Sequence, residues 1–198
     1  MIPDFVLASG SAIRRRLLSD AGVRFDVVHP DVDEARVLND MRSDGIEDAA
    51  ELASALAAAK ALSVKTKSPE KLVLGCDQIL EFGGAILTKV DTIDQAVDRL
   101  ERLNGSEHRL VSGYAIVRDG TLVRKSYETV RVTMRKYSSS VIESYVRRNA
   151  PRIFSSVTCY EIEREGAQLI EEIHGDYFAA LGLPMLRVFS EILDLEND

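Results

Sequence analysis

The period of the apolar positions changes several times along the chain, and the changes mark out its elements. Phe5-Val-Leu-Ala8 is a short continuous apolar run and predicts a strand. Ser9-Gly-Ser11 reads as a turn with two hydroxyls able to cap a helix. Ile13, Leu17, Leu18 and Ala21 then recur at helical spacing, and Gly22 stops that helix. Val23 to His29 predicts a second strand, followed by the polar loop Pro30-Asp-Val-Asp-Glu34. Residues 46 to 66 predict a long Ala-rich helix with Ala49, Leu52, Ala53 and Leu56 on its inner face.

Leu72-Val-Leu-Gly-Cys76 is nearly all apolar, as in a strand buried on both faces. Asp91-Thr92 caps a helix with Ile93, Ala96, Val97, Leu100 and Leu103 inward, stopped by Asn104-Gly105. Val111 to Val117 and Leu122 to Met134 predict a hairpin whose turn, Arg118-Asp-Gly-Thr121, contains the strong signal Asp119-Gly120. Ser138-Ser-Ser140 starts a helix that ends near Asn149-Ala-Pro151, and a strand follows at Gln168 to Ile173. Pro184 opens a last helix through Met185, Val188, Phe189, Ile192 and Leu193. Strands and helices interleave and the middle carries an antiparallel pair. The expectation is a mixed α/β fold around one central sheet, with residues 1–198 as a single domain.

Composition adds limits. At 45% hydrophobic and 29% charged residues the chain reads as an ordinary globular protein. No apolar run reaches the roughly 18 residues of a membrane span. The start, Met1-Ile-Pro-Asp-Phe-Val-Leu, has neither basic n-region nor long h-region, so a cytoplasmic protein is expected. Cys76 and Cys159 lie far apart in strand-like stretches and read as small buried hydrophobes. A formal net charge of −7 argues against binding bulk DNA or RNA, but a small polyanion can still bind where cations cluster.

Four places carry candidate chemistry. At the first strand–turn–helix, free N–H groups and a partial positive charge suit phosphate, and Ser9, Ser11, Arg14, Arg15 and Arg16 reinforce them. Successive residues lie about 100° apart around a helix, so Arg14 or Arg15 faces a ligand while Arg16 is solvated. The bland alternative is a capped helix with an exposed charge run. The loop Asp31-Val-Asp-Glu34 has carboxylates suited to Mg²⁺, or is simply solvated. Lys60 shares the apolar face of Leu52 and Leu56, so it either snorkels or points into a polar cleft. Asp77 ends an apolar strand, where a carboxylate needs a metal or cation and where open α/β sheets hold ligands. P-loop, G-x-G-x-x-G, H-E-x-x-H and G-x-S-x-G patterns are absent, and His29, His108 and His174 are scattered.

Taken in order, these pieces resemble the Maf family of nucleotide pyrophosphatases. The motifs are Leu7-Ala-Ser9-Gly-Ser11-Ala-Ile-Arg14-Arg15, Pro30-Asp-Val-Asp33-Glu34, Ala59-Lys60-Ala61, Gly75-Cys-Asp77-Gln78 and Leu87-Thr-Lys89. Asn104-Gly-Ser-Glu-His108, Ser112-Gly113, Gly175-Asp176-Tyr177 and Gly182-Leu-Pro184 follow, so the likeness spans nearly the whole chain. The resemblance implies two lobes around a nucleotide cleft and hydrolysis of nucleoside triphosphates to monophosphate and pyrophosphate. It implies that Glu34 and Asp77 hold a divalent cation, Mg²⁺ or Mn²⁺, with Asp77 also the base for water. Ser9, Arg14, Lys60 and Lys89 would grip the phosphates, with Ser11 and Arg15 beside them. Dimers would be unsurprising.

The family's subgroups differ at three positions. The pyrimidine subgroup usually has Arg at the place of Ile13, Thr at that of Gln78 and Gln near Glu163. The 7-methyl-GTP subgroup has an aromatic, Gln and Glu, so this chain agrees at Gln78 and Glu163 and departs at Ile13. Modified nucleotides such as 7-methyl-GTP are the expected substrates. The alternatives are a non-catalytic nucleotide-binding regulator of cell division and a phosphatase releasing single phosphates.

Overall fold

In the computed structural model, residues 1–64 and 71–197 are described. They form a mixed α/β fold on a seven-stranded sheet with strand order β2-β1-β3-β5-β6-β7, and β4 pairs with β3. By contacts the chain divides into two compact units, Met1–Gln78 with Val111–Thr129 and Asp176–Asp198, and Ile79–Leu110 with Val130–Gly175.

The first unit begins with β1 (Phe5–Ala8), buried throughout, and α1 (Ala12–Asp20). β1 pairs in parallel with β2 (Phe25–Val28) and with β3 (Val73–Phe82), the latter through Val6↔Val73, Leu7↔Leu74 and Ala8↔Gly75. The loop expected at Asp31–Glu34 leads into an unforeseen helix, α2 (Glu34–Ser43), capped by Asp33. It has no buried residue, so no apolar stripe announced it.

The Ala-rich helix α3 spans Ala49–Ser63, and the predicted residues 65 and 66 lie outside the described residues. Ten of its residues are buried, more than the one inner face expected. Two glycines explain this burial. A Cβ on Gly75 would stand 2.1 Å from the Ala57 carbonyl oxygen, and one on Gly113 would stand 2.4 Å from that of Ala53. The helix backbone therefore rests against β3 and against β5 (Glu107–Arg118) where they have no side chain. Ala57, Ala58, Ala61, Val6, Ala8, Val73, Ala115 and Val117 share one core cluster. α6 (Tyr177–Ala180) is a single capped turn, and α7 (Met185–Asn197) buries Met185, Val188, Ile192 and Leu195. Leu193, expected inward, is exposed, and Leu195 takes its place.

In the second unit β3 continues past the predicted Cys76 to Phe82, because its end pairs antiparallel with β4 (Ala85–Leu87). Thr92 caps α4 (Ile93–Leu103) as expected, but Arg99 is buried with Ala96, Leu100 and Leu103. β6 (Thr121–Met134) follows β5 through Asp119 (φ 49°) and Gly120 (φ 69°), the left-handed pair expected of the hairpin turn. Within this unit β6 pairs antiparallel with β7 (Ile170–His174). The strand predicted from Gln168 starts two residues later, because Glu165–Leu169 form a 3-10 turn. Ser138 precedes α5 (Ser139–Asn149), as the serine run predicted.

Candidate active site

Asp77 follows Cys76 on β3 and is only 8% exposed. A lone carboxylate there would be costly. Its partner is Lys60, also 8% exposed, whose Nζ donates to Asp77 Oδ1. The same ammonium pairs with Glu34 Oε1 at 2.7 Å. The lysine therefore does not snorkel: the glycine contact at Gly75 brings α3 against β3, and the ammonium turns toward the strand. Glu34 reaches it from the first turn of α2, where a carboxylate also suits the helix dipole. Its side chain is 54% exposed, so the trio is buried at Asp77 and open at Glu34.

A second set meets β3 one residue earlier. Arg14 is buried, with Nε donating to the Gly182 carbonyl at 2.7 Å and Nη1 to the Cys76 carbonyl at 2.8 Å. Nη1 also donates to Ser9 Oγ at 3.2 Å, and Ser9 Oγ accepts from Ser11 N–H. Ser11 caps α1. Arg14 thus braces the turn after β1, the residue before Asp77, and Gly182. Arg15 and Ile13 are half-buried, while Arg16 is exposed beside Asp20. Burial pushes the Cys76 thiol up to about 11, against the opposing pull of Arg14 and Lys60. It is an inert thiol.

Gln78 turns its amide NH₂ onto three acceptors at 3.1 Å, namely Ser112 Oγ and the carbonyls of Ala179 and Ala180. Ser112 Oγ itself donates to Ala179 O at 2.7 Å. Asp176 caps α6 through both carboxylate oxygens and so fixes those carbonyls. Two carbonyl acceptors settle the amide's orientation, with the NH₂ group toward Ala179 and Ala180 and Oε1 as the remaining acceptor. Ser112, Asp176 and Gly182 stand in the sequence only as letters of motifs; their bracing roles depend on contacts distant in sequence.

Lys89 and Glu163 belong to neither set, for both lie in the second unit. Lys89 is exposed just after β4, next to Thr88, whose carbonyl accepts from Arg99 Nη2 at 2.8 Å. Glu163 is half-buried in the turn before Glu165–Leu169.

The family profile described as "Maf-like protein" matches residues 4–195. The chain belongs to the Maf-like family. Among the relatives of this Maf-like chain is a nucleoside triphosphate pyrophosphatase of Ruegeria sp. (strain TM1040), 41% identical over 96% of this chain and 95% of its own. Another, from Caulobacter vibrioides, carries the same name and is 38% identical over 91% and 89%. A 7-methyl-GTP pyrophosphatase of Rhizobium etli is 37% identical over 98% of each. Among the described residues of this Maf-like chain, no helix is long and apolar enough to cross a membrane.

Proposed function

We propose that this protein hydrolyses nucleoside triphosphates to nucleoside monophosphate and pyrophosphate, and that Lys60, between Glu34 and Asp77, marks the reaction centre. That trio carries the reading, because a buried carboxylate in the middle of β3, rather than at the strand end expected from sequence, joined to a lysine and a second carboxylate, suits a charged phosphate reaction. The relatives' names supply the bond that is cut. Residues 1–198 are taken as one functional domain, since the family profile spans nearly all of them.

Among the described residues no group of three or more His, Cys, Asp or Glu side chains is placed to hold a metal. Glu34 and Asp77 nonetheless fit Mg²⁺ or Mn²⁺, because such ions are commonly held by one or two carboxylates with substrate phosphates completing the set. When bound there, the cation supplies charge neutralisation and polarises a phosphate oxygen. The chain's own residues do the rest. Asp77 orients the attacking water and accepts its proton. Lys60, Lys89, Ser9, Ser11, Arg14 and Arg15 bind the triphosphate, through side chains or through the N–H groups at the start of α1. Phosphoryl chemistry needs mainly positioning and neutralisation, which this residue set provides.

Ile13, Gln78 and Glu163 are assigned to the base. Glu163 accepts from N1–H and the exocyclic amine of guanine and favours a cationic methylated ring, so 7-methyl-GTP is the proposed substrate. The enzyme serves the cytoplasmic nucleotide pool, and a homodimer is its proposed form.

A panel of canonical and modified nucleotides with Mg²⁺ or Mn²⁺ tests this. Monophosphate plus pyrophosphate is expected, reduced at least about a hundredfold in Asp77→Asn. Diphosphate plus phosphate would refute the pyrophosphatase reading, and binding without turnover would favour the regulator.

A further inference from the structure

We infer that Lys60 is a resident counter-ion that keeps the Glu34–Asp77 pair closed to free divalent cations until a polyphosphate takes over its ammonium. The inference rests on the proposed assignment of those two carboxylates to the cation.

Three observations carry it. Lys60 Nζ bridges Glu34 Oε1, at 2.7 Å, and Asp77 Oδ1. Two of the three ammonium N–H donors are thus committed to the oxygens that a cation would need. An ion on those same oxygens would sit close to Nζ, and the two like charges would repel. Secondly, the side chains of Lys60 and Asp77 are 10% and 12% exposed, so water screens that pair poorly, while Glu34 is the open side of the trio. Thirdly, α3 is held against Gly75, where a Cβ would meet the Ala57 carbonyl. Lys60 can swing its ammonium on its flexible stem, but its helix is not free to carry it away. A triphosphate offers anionic oxygens that accept the ammonium in exchange. Cation and nucleotide therefore enter together, and each strengthens the binding of the other.

Mn²⁺ binding is measured by calorimetry on the full chain, with and without a triphosphate whose α–β bridge is a non-hydrolysable imido group. Wild type should bind Mn²⁺ weakly alone and about tenfold or more tighter with the analogue. Lys60→Met and Lys60→Gln should bind Mn²⁺ alone about tenfold more tightly than wild type and lose most of the analogue's enhancement. Mn²⁺ should also raise the melting temperature of both variants more than that of wild type, a readout independent of turnover. Lys60 variants with wild-type affinity for Mn²⁺ alone, while Asp77→Asn weakens it, would overturn the counter-ion role and leave the active-site reading standing. Unchanged Mn²⁺ binding in Asp77→Asn would overturn both.

Discussion

Arg99 is a buried cation that fixes the backbone beside Lys89. Its Nη2 holds the Thr88 carbonyl at 2.8 Å and its Nη1 the Val157 carbonyl at 2.5 Å. Burial lowers its pKa below the ordinary guanidinium value, but a guanidinium remains charged. Its role is positioning, since it acts on Lys89 through the preceding residue. Arg99→Met leaves two carbonyls without a charged donor and should cost about 2–4 kcal/mol of stability in urea unfolding. The KM for nucleotide should rise more than kcat falls, with Arg99→Lys recovering part of the binding; an unchanged KM in a destabilised variant would reduce Arg99 to a core residue. Arg14 was legible as a candidate cation, but its burial on backbone carbonyls was hidden in the sequence for the same reason as that of Arg99. A charged letter on a helix normally signals the solvated face, and only carbonyl acceptors distant in sequence make burial tolerable. Asp77 and Lys60 were legible for the opposite reason. Each broke an apolar pattern, and each then had to find an opposite charge.

Among the elements, α3 and the two glycines beneath it do most to place the candidate site. The helix was readable from its alanines, but its depth was not, because Gly75 and Gly113 look in sequence like weak points in two strands. They are where helix backbone and sheet touch. Gly75→Ala puts a methyl 2.1 Å from the Ala57 oxygen and 2.8 Å from the Ala61 nitrogen, both backbone atoms that cannot rotate aside. The expected cost is about 3 kcal/mol or more. Because Lys60 lies between those two contacts, the ammonium should also retreat from Asp77. Thermal unfolding and turnover should fall together, and a variant that keeps both would show that the helix can shift without consequence. α2 was the element missed outright. With no buried residue it has no periodic signal, and its Asp33 cap looked like one more acid in a polar loop.

For the molecule as a whole, element order and the mixed sheet were legible because alternating apolar periods and turn residues such as Asp119-Gly120 act locally. Division into two units was expected only through the family resemblance, which implied two lobes, and not from the apolar pattern, since the boundary falls inside β3, between Gln78 and Ile79, where the apolar run does not pause. The stability of the fold should carry a pH signature set in the second unit. His108 is 2% exposed, bonds Tyr160 Oη through Nε2 at 2.6 Å, and has no hydrogen-bond partner at Nδ1 among the described residues. Burial pushes its pKa down from 6.5 to about 4. The folded state therefore holds it neutral while the unfolded chain takes up a proton below about 6.5. Between those values the unfolded state binds more protons, so stability is full above pH 6.5 and falls as the pH drops toward 4. The complete drop amounts to roughly 3 kcal/mol, superimposed on whatever the carboxylates contribute. His108→Gln keeps a side-chain nitrogen for Tyr160 and removes the titration. Urea unfolding of both proteins from pH 7.5 to 4, followed by circular dichroism because the chain has no tryptophan, should show a shallower acid slope in the variant. Parallel slopes would mean that His108 is hydrated and protonates without unfolding.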